Sequence, residues 1–148
     1  KDYLLNQLTL KSKLVNPWYY KTLKKVDSKD LNVLAKINKS IPELIYKLKV
    51  LEQDFSFLNQ NEINANTLLN KLKIPNAHLK FLFKYHCKLS IHEYLNLLKI
   101  ALSIQLISKG FLNGQTIDSL SNACHFDSRI TFYKNFKKFT AVSPSEFT

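Results

Sequence analysis

The sequence predicts an all-α fold: two short helical pairs joined by a long linker helix, with a helical extension at the N-terminal end. Three observations carry this. Only 2 Gly and 4 Pro interrupt 148 residues, and alternation of the β kind is scarce. Leu, Ile and Phe recur at spacings of three and four, with Lys and Asn between them. Hydrophobic residues make up 45% of the chain, enough to fill the core of one domain or two small ones.

Residues 1–40 read as the extension. Leu4, Leu5 and Leu8 form one apolar stripe. Pro17 breaks it, and the aromatic cluster Trp18, Tyr19, Tyr20 follows. Asp27-Ser28 can cap a further helix carrying Leu31, Leu34 and Ala35. The plain reading is a linker or the stub of an upstream domain. A start at Lys1 and the absence of Met are what a piece of a longer protein would show.

From residue 41 onward the signals sharpen. Ser40-Ile41-Pro42-Glu43 has the form of a capping box, opening a helix with Leu44, Ile45, Leu48 and Leu51. Phe55, Phe57 and Leu58 make a hydrophobic knot before the polar loop 59–62. The first helical pair spans about 64–85. Asn64 or Asn66 caps a helix carrying Leu68, Leu69 and Leu72; Lys73-Ile74-Pro75 turns the chain, and a proline near the first position starts the next helix. There Leu79, Leu82 and Phe83 face inward, while Asn76, Ala77, Lys80, Phe81 and Lys84 lie elsewhere.

Ser90-Ile91-His92-Glu93 is a second capping box. It opens the longest helix, about 90–109, with Tyr94, Leu97, Leu98, Ala101, Leu102, Gln105 and Leu106 as its stripe. Gly110 and Gly114 bracket the end, as a C-terminal stop requires. Such a helix is a rod of ~30 Å. The second pair spans about 115–138. Ile117, Leu120, Ser121 and Cys124 form its first stripe, His125-Phe126-Asp127 interrupts, and Ser128 caps the following helix. Phe132 and Phe136 share one face; Arg129, Tyr133, Lys134 and Lys137 lie largely off it.

A short helix, a turn and a second helix with basic and hydrogen-bonding groups outward is the layout of a helix-turn-helix, whose second helix enters a DNA major groove. The plain alternative is a helical hairpin with a merely solvated outer face. Charge points to a polyanion. The formal net charge is +11, unevenly placed: +6 in residues 1–40, −2 in 41–70, +8 in 71–138 and −1 in 139–148. Nucleic acid and an anionic membrane both qualify. Ala77 and Ile130, the matching positions of the two candidate reading helices, are 53 residues apart with the rod between them. Successive major-groove faces of B-DNA are ~34 Å apart, so the rod's length favours double-stranded DNA. A membrane surface needs a continuous basic amphipathic face instead, and no apolar run approaches the ~20 residues that span a bilayer. No membrane contact is expected. Arg129, the one arginine among lysines, can read a guanine edge or hold a phosphate in two-point contact.

Other classes are excluded by what is missing. Cys87 and Cys124 have no metal-ligand partners at usable spacing and imply a reduced, cytoplasmic setting. His78, His86, His92 and His125 are scattered. No Ser-His-Asp order, Gly-rich phosphate loop or paired carboxylates stand out, so neither an enzyme nor a metal or cofactor is expected.

With both pairs and the rod in place, the chain resembles the DNA-binding region of the AraC/XylS family of bacterial transcription regulators over about Ile41 to Thr148. The marks are Phe126, Phe132, Phe136-Lys137 and Val142-Ser143-Pro144-Ser145-Glu146-Phe147 in the second pair. In the rod they are Tyr94-Leu95 and Leu98-Lys99-Ile100; in the first pair, Leu79 and Phe83-Lys84. Ile41-Pro42-Glu43 through Glu52 and Phe57 resembles the sensor-linked Bacteroidetes type. The resemblance implies a sequence-specific transcription regulator with two helix-turn-helix subdomains and a linker helix, whose two recognition helices enter adjacent major grooves. It implies RNA polymerase or another regulator as a further partner, and a homodimer through the N-terminal region or a domain outside this chain. At recognition-helix positions stand Asn76, Ala77, Lys80, Phe81 and Lys84, then Ser128, Arg129, Ile130, Tyr133, Lys134 and Lys137.

Departures matter. His125 and Ala141 stand where the family usually has Gly, and Lys99 where it has Arg. If the backbone at 125 needs a positive φ, His tolerates it less readily than Gly. Ala77 and Phe81 on an exposed face suggest that the first pair reads thymine methyls and shape, or binds weakly. The second pair, with Arg129 as base reader, then carries most of the specificity. Lys80, Lys84, Lys134 and Lys137 are assigned to phosphates, which set register rather than sequence; Tyr133 touches a phosphate or a base. The same exposed Ala77 and Phe81 motivate the alternative, a degenerate helix-turn-helix that docks on another regulator.

Overall fold

The computed structural model describes residues 14–147, so the expected stripe of Leu4, Leu5 and Leu8 lies outside the described residues. The fold is all-α, with no strand among those residues. In chain order the helices are α1 (Leu31–Ile37), α2 (Ile41–Leu51), α3 (Phe55–Leu58), α4 (Ala65–Leu72) and α5 (Asn76–His86). Then come α6 (Ile91–Ser108), α7 (Ile117–Ala123), α8 (Arg129–Thr140) and α9 (Pro144–Phe147). The chain divides into two compact units. An N-terminal unit holds residues 17–54 and 60–95; a C-terminal unit holds the described part of 1–16 with 55–59 and 96–147. Helix α6 is continuous for 18 residues, about 27 Å at 1.5 Å per residue, and begins in the first unit and ends in the second.

In the N-terminal unit, helices α4 and α5 form the first helix-turn-helix. Asn64 accepts from Thr67 N–H at 3.0 Å while Thr67 Oγ1 accepts from Asn64 N–H at 2.6 Å. These bonds satisfy two of the four orphan donors at the start of α4. Lys73 takes φ 57° and reverses the chain, and Pro75 precedes the first turn of α5. Leu68, Leu72, Leu79 and Leu82 are buried on the facing sides.

The segment from Pro17 wraps the end of α5. Lys88 N–H donates to Pro17 O (2.9 Å), Tyr19 N–H to His86 O (2.9 Å) and Leu23 N–H to Tyr85 O (2.8 Å). Trp18 is buried, with its ring centroid 5.2 Å from both Phe83 and Tyr94. Its indole N–H donates to Glu52 Oε2 (2.8 Å), which also accepts from Tyr94 Oη (2.7 Å). Glu52 is thus a buried carboxylate fed by two aromatic donors. Burial pushes its pKa up, and the two hydrogen bonds oppose that rise.

Two expected caps are corrected. Ser40 has helical backbone and makes no side-chain cap, because a 3-10 turn (Asn38–Ser40) runs directly into α2. Asp27 does not cap α1 either; the turn Ser28–Asp30 intervenes, and the Asp27 carboxylate bonds Lys84 instead. The Ser90–Glu93 box does form, with bonds of 2.9 and 3.1 Å.

In the C-terminal unit, α7 and α8 form the second helix-turn-helix around an aromatic stack. Phe126–Phe132, Phe132–Phe136 and Phe136–Phe147 centroids are 5.4, 5.7 and 5.2 Å apart. Thr116 caps α7 by accepting from Ser119 N–H at 3.0 Å. The turn passes through His125 at φ 67°, and α8 ends at Ala141 with φ 68°. Both positions where the resemblance expects glycine therefore have the backbone glycine would suit. Lys99 Nζ donates to His125 O (3.0 Å) and lies 5.2 Å from the Phe126 ring, tying the turn to α6. Cys87 and Cys124 are buried, each thiol pushed up to about 12 by burial and so kept protonated.

Candidate nucleic-acid interface

Helix α8 presents two faces of opposite character. Phe132, Phe136 and Phe139 are buried in the aromatic stack, which holds the helix by one side. Ser128, Arg129, Ile130, Lys134 and Lys137 are exposed on the rest, and Tyr133 is half-buried. Ile130 is 78% exposed, an apolar side chain with no core to enter. Ser128 Oγ accepts from Thr131 N–H at 3.2 Å, so its position is set by capping. The Arg129 guanidinium lies 5.2 Å from the Tyr133 ring, and its Nε is 3.6 Å from Asp118 Oδ1 on α7. That pair is well exposed, so it orients more than it stabilises. Arg129, Ile130, Tyr133, Lys134, Lys137 and Ser143 line an open depression of about 550 Å³.

Helix α5 is different. Asn76, Ala77 and Lys80 are exposed over its first turns, as expected. Phe81 is not: it is 3% exposed, with its ring 4.7 Å from Tyr85. The reason is the wrap described above. Helix α1 packs against α5, so α5 buries a wider arc than Leu79, Leu82 and Phe83 alone would define. Lys84 is held in an ion pair. Its Nζ bonds Asp27 Oδ2 and Asp30 Oδ2, each at 2.9 Å, and these partners raise its pKa. Its charge is paired within the unit in this arrangement.

Several residues of the interface region have roles that were not assigned to them from the sequence. Asp118 and Ser143 reach the Arg129 face, Lys99 holds the turn, and Asp27 and Asp30 hold Lys84. Each is a long-range partner in a sequence that shows only local spacing; the lysine in place of the expected arginine at 99 was the one visible sign. Among the described residues, no group of three His, Cys, Asp or Glu can hold a metal ion, and no helix is long and apolar enough to cross a membrane.

The chain is similar to known proteins. Over 88 residues the chain is 25% identical to the transcriptional regulatory protein HptR of Staphylococcus aureus strain NCTC 8325 / PS 47, covering 60% of this chain and 33% of HptR. HptR of strain MSSA476 gives the same values. The chain therefore spans about a third of the length of these curated relatives. Among solved structures, ToxT from Vibrio cholerae O395, crystallised with (E)-4-(8-methylnaphthalen-1-yl)but-3-enoic acid, is similar at 17% identity and a TM-score of 0.47. That similarity covers 98% of this chain and 64% of ToxT. A family model for a helix-turn-helix domain of the AraC type matches residues 68–148, which is more than half of the sequence and takes in α5 to α9. By that match, the chain belongs to the AraC-type helix-turn-helix family.

Proposed function

We propose that this chain is the DNA-reading part of a transcription regulator and binds double-stranded DNA in a sequence-specific way. Recognition helices α5 and α8 enter adjacent major grooves. The observation that carries the reading is the split character of α8: a phenylalanine face locked in the core and an outer face of Arg129, Ile130, Lys134 and Lys137. Arg129 reads a guanine edge with its fork, oriented from behind by Asp118. Ile130 meets a thymine methyl. Lys134, Lys137 and, on α5, Lys80 contact phosphates, and Tyr133 supports Arg129 through its ring. Ser128 fixes the start of α8 at the groove. Asn76 and Ala77 are the groove-facing residues of α5. The protein-docking alternative loses Phe81, one of the two side chains that motivated it, and keeps Ala77.

Selection of bound duplexes from a random pool tests the reading. The chain is expected to enrich a defined sequence. Arg129→Ala should cost ~1–3 kcal/mol at that sequence and relax preference at one base pair, whereas Lys134→Ala should weaken all sequences alike. No enrichment would remove the proposal, and identical behaviour of the two variants would remove the division of roles.

A further inference from the structure

Lys84 lies one helical turn beyond Lys80, on the stripe of α5 that starts at Ala77. Its ammonium is gripped by two carboxylates from the turn that precedes α1, at 2.9 Å each. That turn is itself anchored on α5. Tyr85 Oη donates to Asp30 Oδ2 (2.5 Å) and accepts the Asp27 N–H (3.0 Å), and Leu23 N–H donates to Tyr85 O (2.8 Å). The cluster is not buried away: the Asp27 side chain is 55% exposed, Asp30 24% and Lys84 32%. The charge of Lys29 also acts on both carboxylates, and Lys24 Nζ lies 5.8 Å from the Tyr85 ring, so the cluster is one of paired charges. Lysine hydrogen bonds hold the Asp27 carboxyl below its usual range, and those from Tyr85 and Lys84 do the same for Asp30. Both carboxylates are therefore ionised, and their pairing with Lys84 persists, at neutral pH.

We propose that Asp27 and Asp30 are determinants of DNA affinity that act against binding: they hold the Lys84 charge, on the reading stripe of α5, in ion pairs and so withhold it from phosphate. The inference rests on the reading of α5 as a groove-entering helix. A phosphate approaching Lys84 meets an ammonium with two of its three N–H donors already bonded to carboxylates, which repel it. One helical turn is about 5.4 Å, and charges are screened over about 8 Å at physiological salt, so the pair is also felt at Lys80. Helix α5 then enters a groove by its first turn, through Asn76, Ala77 and Lys80, and is held off further along. On this inference helix α5 is the weaker reader because its third turn is masked.

The test uses the full chain and the duplex enriched by the selection above. Affinity is measured across a salt series for the wild type, Asp27→Asn, and Asp27→Asn with Asp30→Asn. Lys84→Met is added to the wild type and to each. Asp27→Asn should tighten binding several-fold and the double change about tenfold at low salt, with the log–log slope steeper by about one unit for the freed lysine. Lys84→Met should change wild-type affinity by less than about twofold, yet remove the added slope in the asparagine backgrounds. Thermal unfolding checks the fold. Asp27→Asn keeps the test sound should Asp30→Asn loosen the turn, since the Asp27 carboxylate is half exposed and bonded to Lys84. Unchanged or weaker binding by a folded Asp27→Asn overturns the proposal. Lys80→Ala separates the two levels. If it weakens binding while the asparagine variants do nothing, only this inference fails; if it too does nothing, α5 is not in a groove and the underlying reading fails.

Discussion

His125 and Ala141 hold φ 67° and 68°, geometry that costs an L-residue roughly 1–2 kcal/mol. Each ends a helical segment that the aromatic stack requires, so packing overrides the local preference. His125→Gly and Ala141→Gly should each stabilise the chain by about 1 kcal/mol, measured as a rise in unfolding midpoint in denaturant. A fall in stability would mean that the side chains make contacts outweighing the backbone strain. Lys99 shows a related point. It replaces the arginine the resemblance expects, yet a single ammonium suffices to bond the His125 carbonyl and to lie over Phe126. The two left-handed positions were legible in advance because a family pattern marked them. The burial of Phe81 and the pairing of Lys84 were not, since both depend on residues about 55 positions away.

Among the elements, the segment from Pro17 to α1 changed most between sequence and structure. Spacing alone offered a linker or a stub. Instead it adds backbone bonds to the end of α5 and places Trp18 over Glu52. Glu52 sits just past the end of α2, and nothing nearby in sequence shows that two aromatic donors converge on it. Its folded-state pKa is raised by burial, so the folded chain holds the proton more tightly than the unfolded one. This contribution is full below the unfolded carboxyl range and is lost as pH rises through the folded value. Glu52→Gln keeps an acceptor for both donors and removes that dependence. Its stability relative to wild type should therefore improve as pH rises from about 4.5 toward neutrality. Glu52→Ala strands the indole and phenol donors and should cost about 2–4 kcal/mol at any pH. Denaturant unfolding at several pH values checks both. A Gln variant whose advantage shrinks with rising pH would show that the carboxylate is stabilised by surroundings not recognised as such.

At the largest scale stands α6, expected over 90–109 and found over Ile91–Ser108. It is buried almost all round from Leu97 to Ile104 and not along a narrow stripe, as befits a helix that neighbours cover on more than one side. If two reading helices on one chain engage DNA at the pitch of the duplex, the selected sites should contain two conserved blocks. Their centres should lie about 10 base pairs apart. Footprinting would check this, and one block with no second would confine reading to α8. The charge split agrees with unequal readers. Arg129, Lys134 and Lys137 are exposed on α8, whereas on α5 Lys80 is exposed and Lys84 is paired.

Helix positions, most caps, the two helix-turn-helix pairs and the faces of α8 were legible from the order of residues alone. They depend on interactions three or four positions apart, which spacing displays directly. Which face of α5 is covered, where Lys84 spends its charge and why Glu52 is protonated more readily than a loop acid came from folding alone. Those outcomes rest on contacts across tens of residues, made when the segment from Pro17 lies down on α5, and no local pattern encodes them.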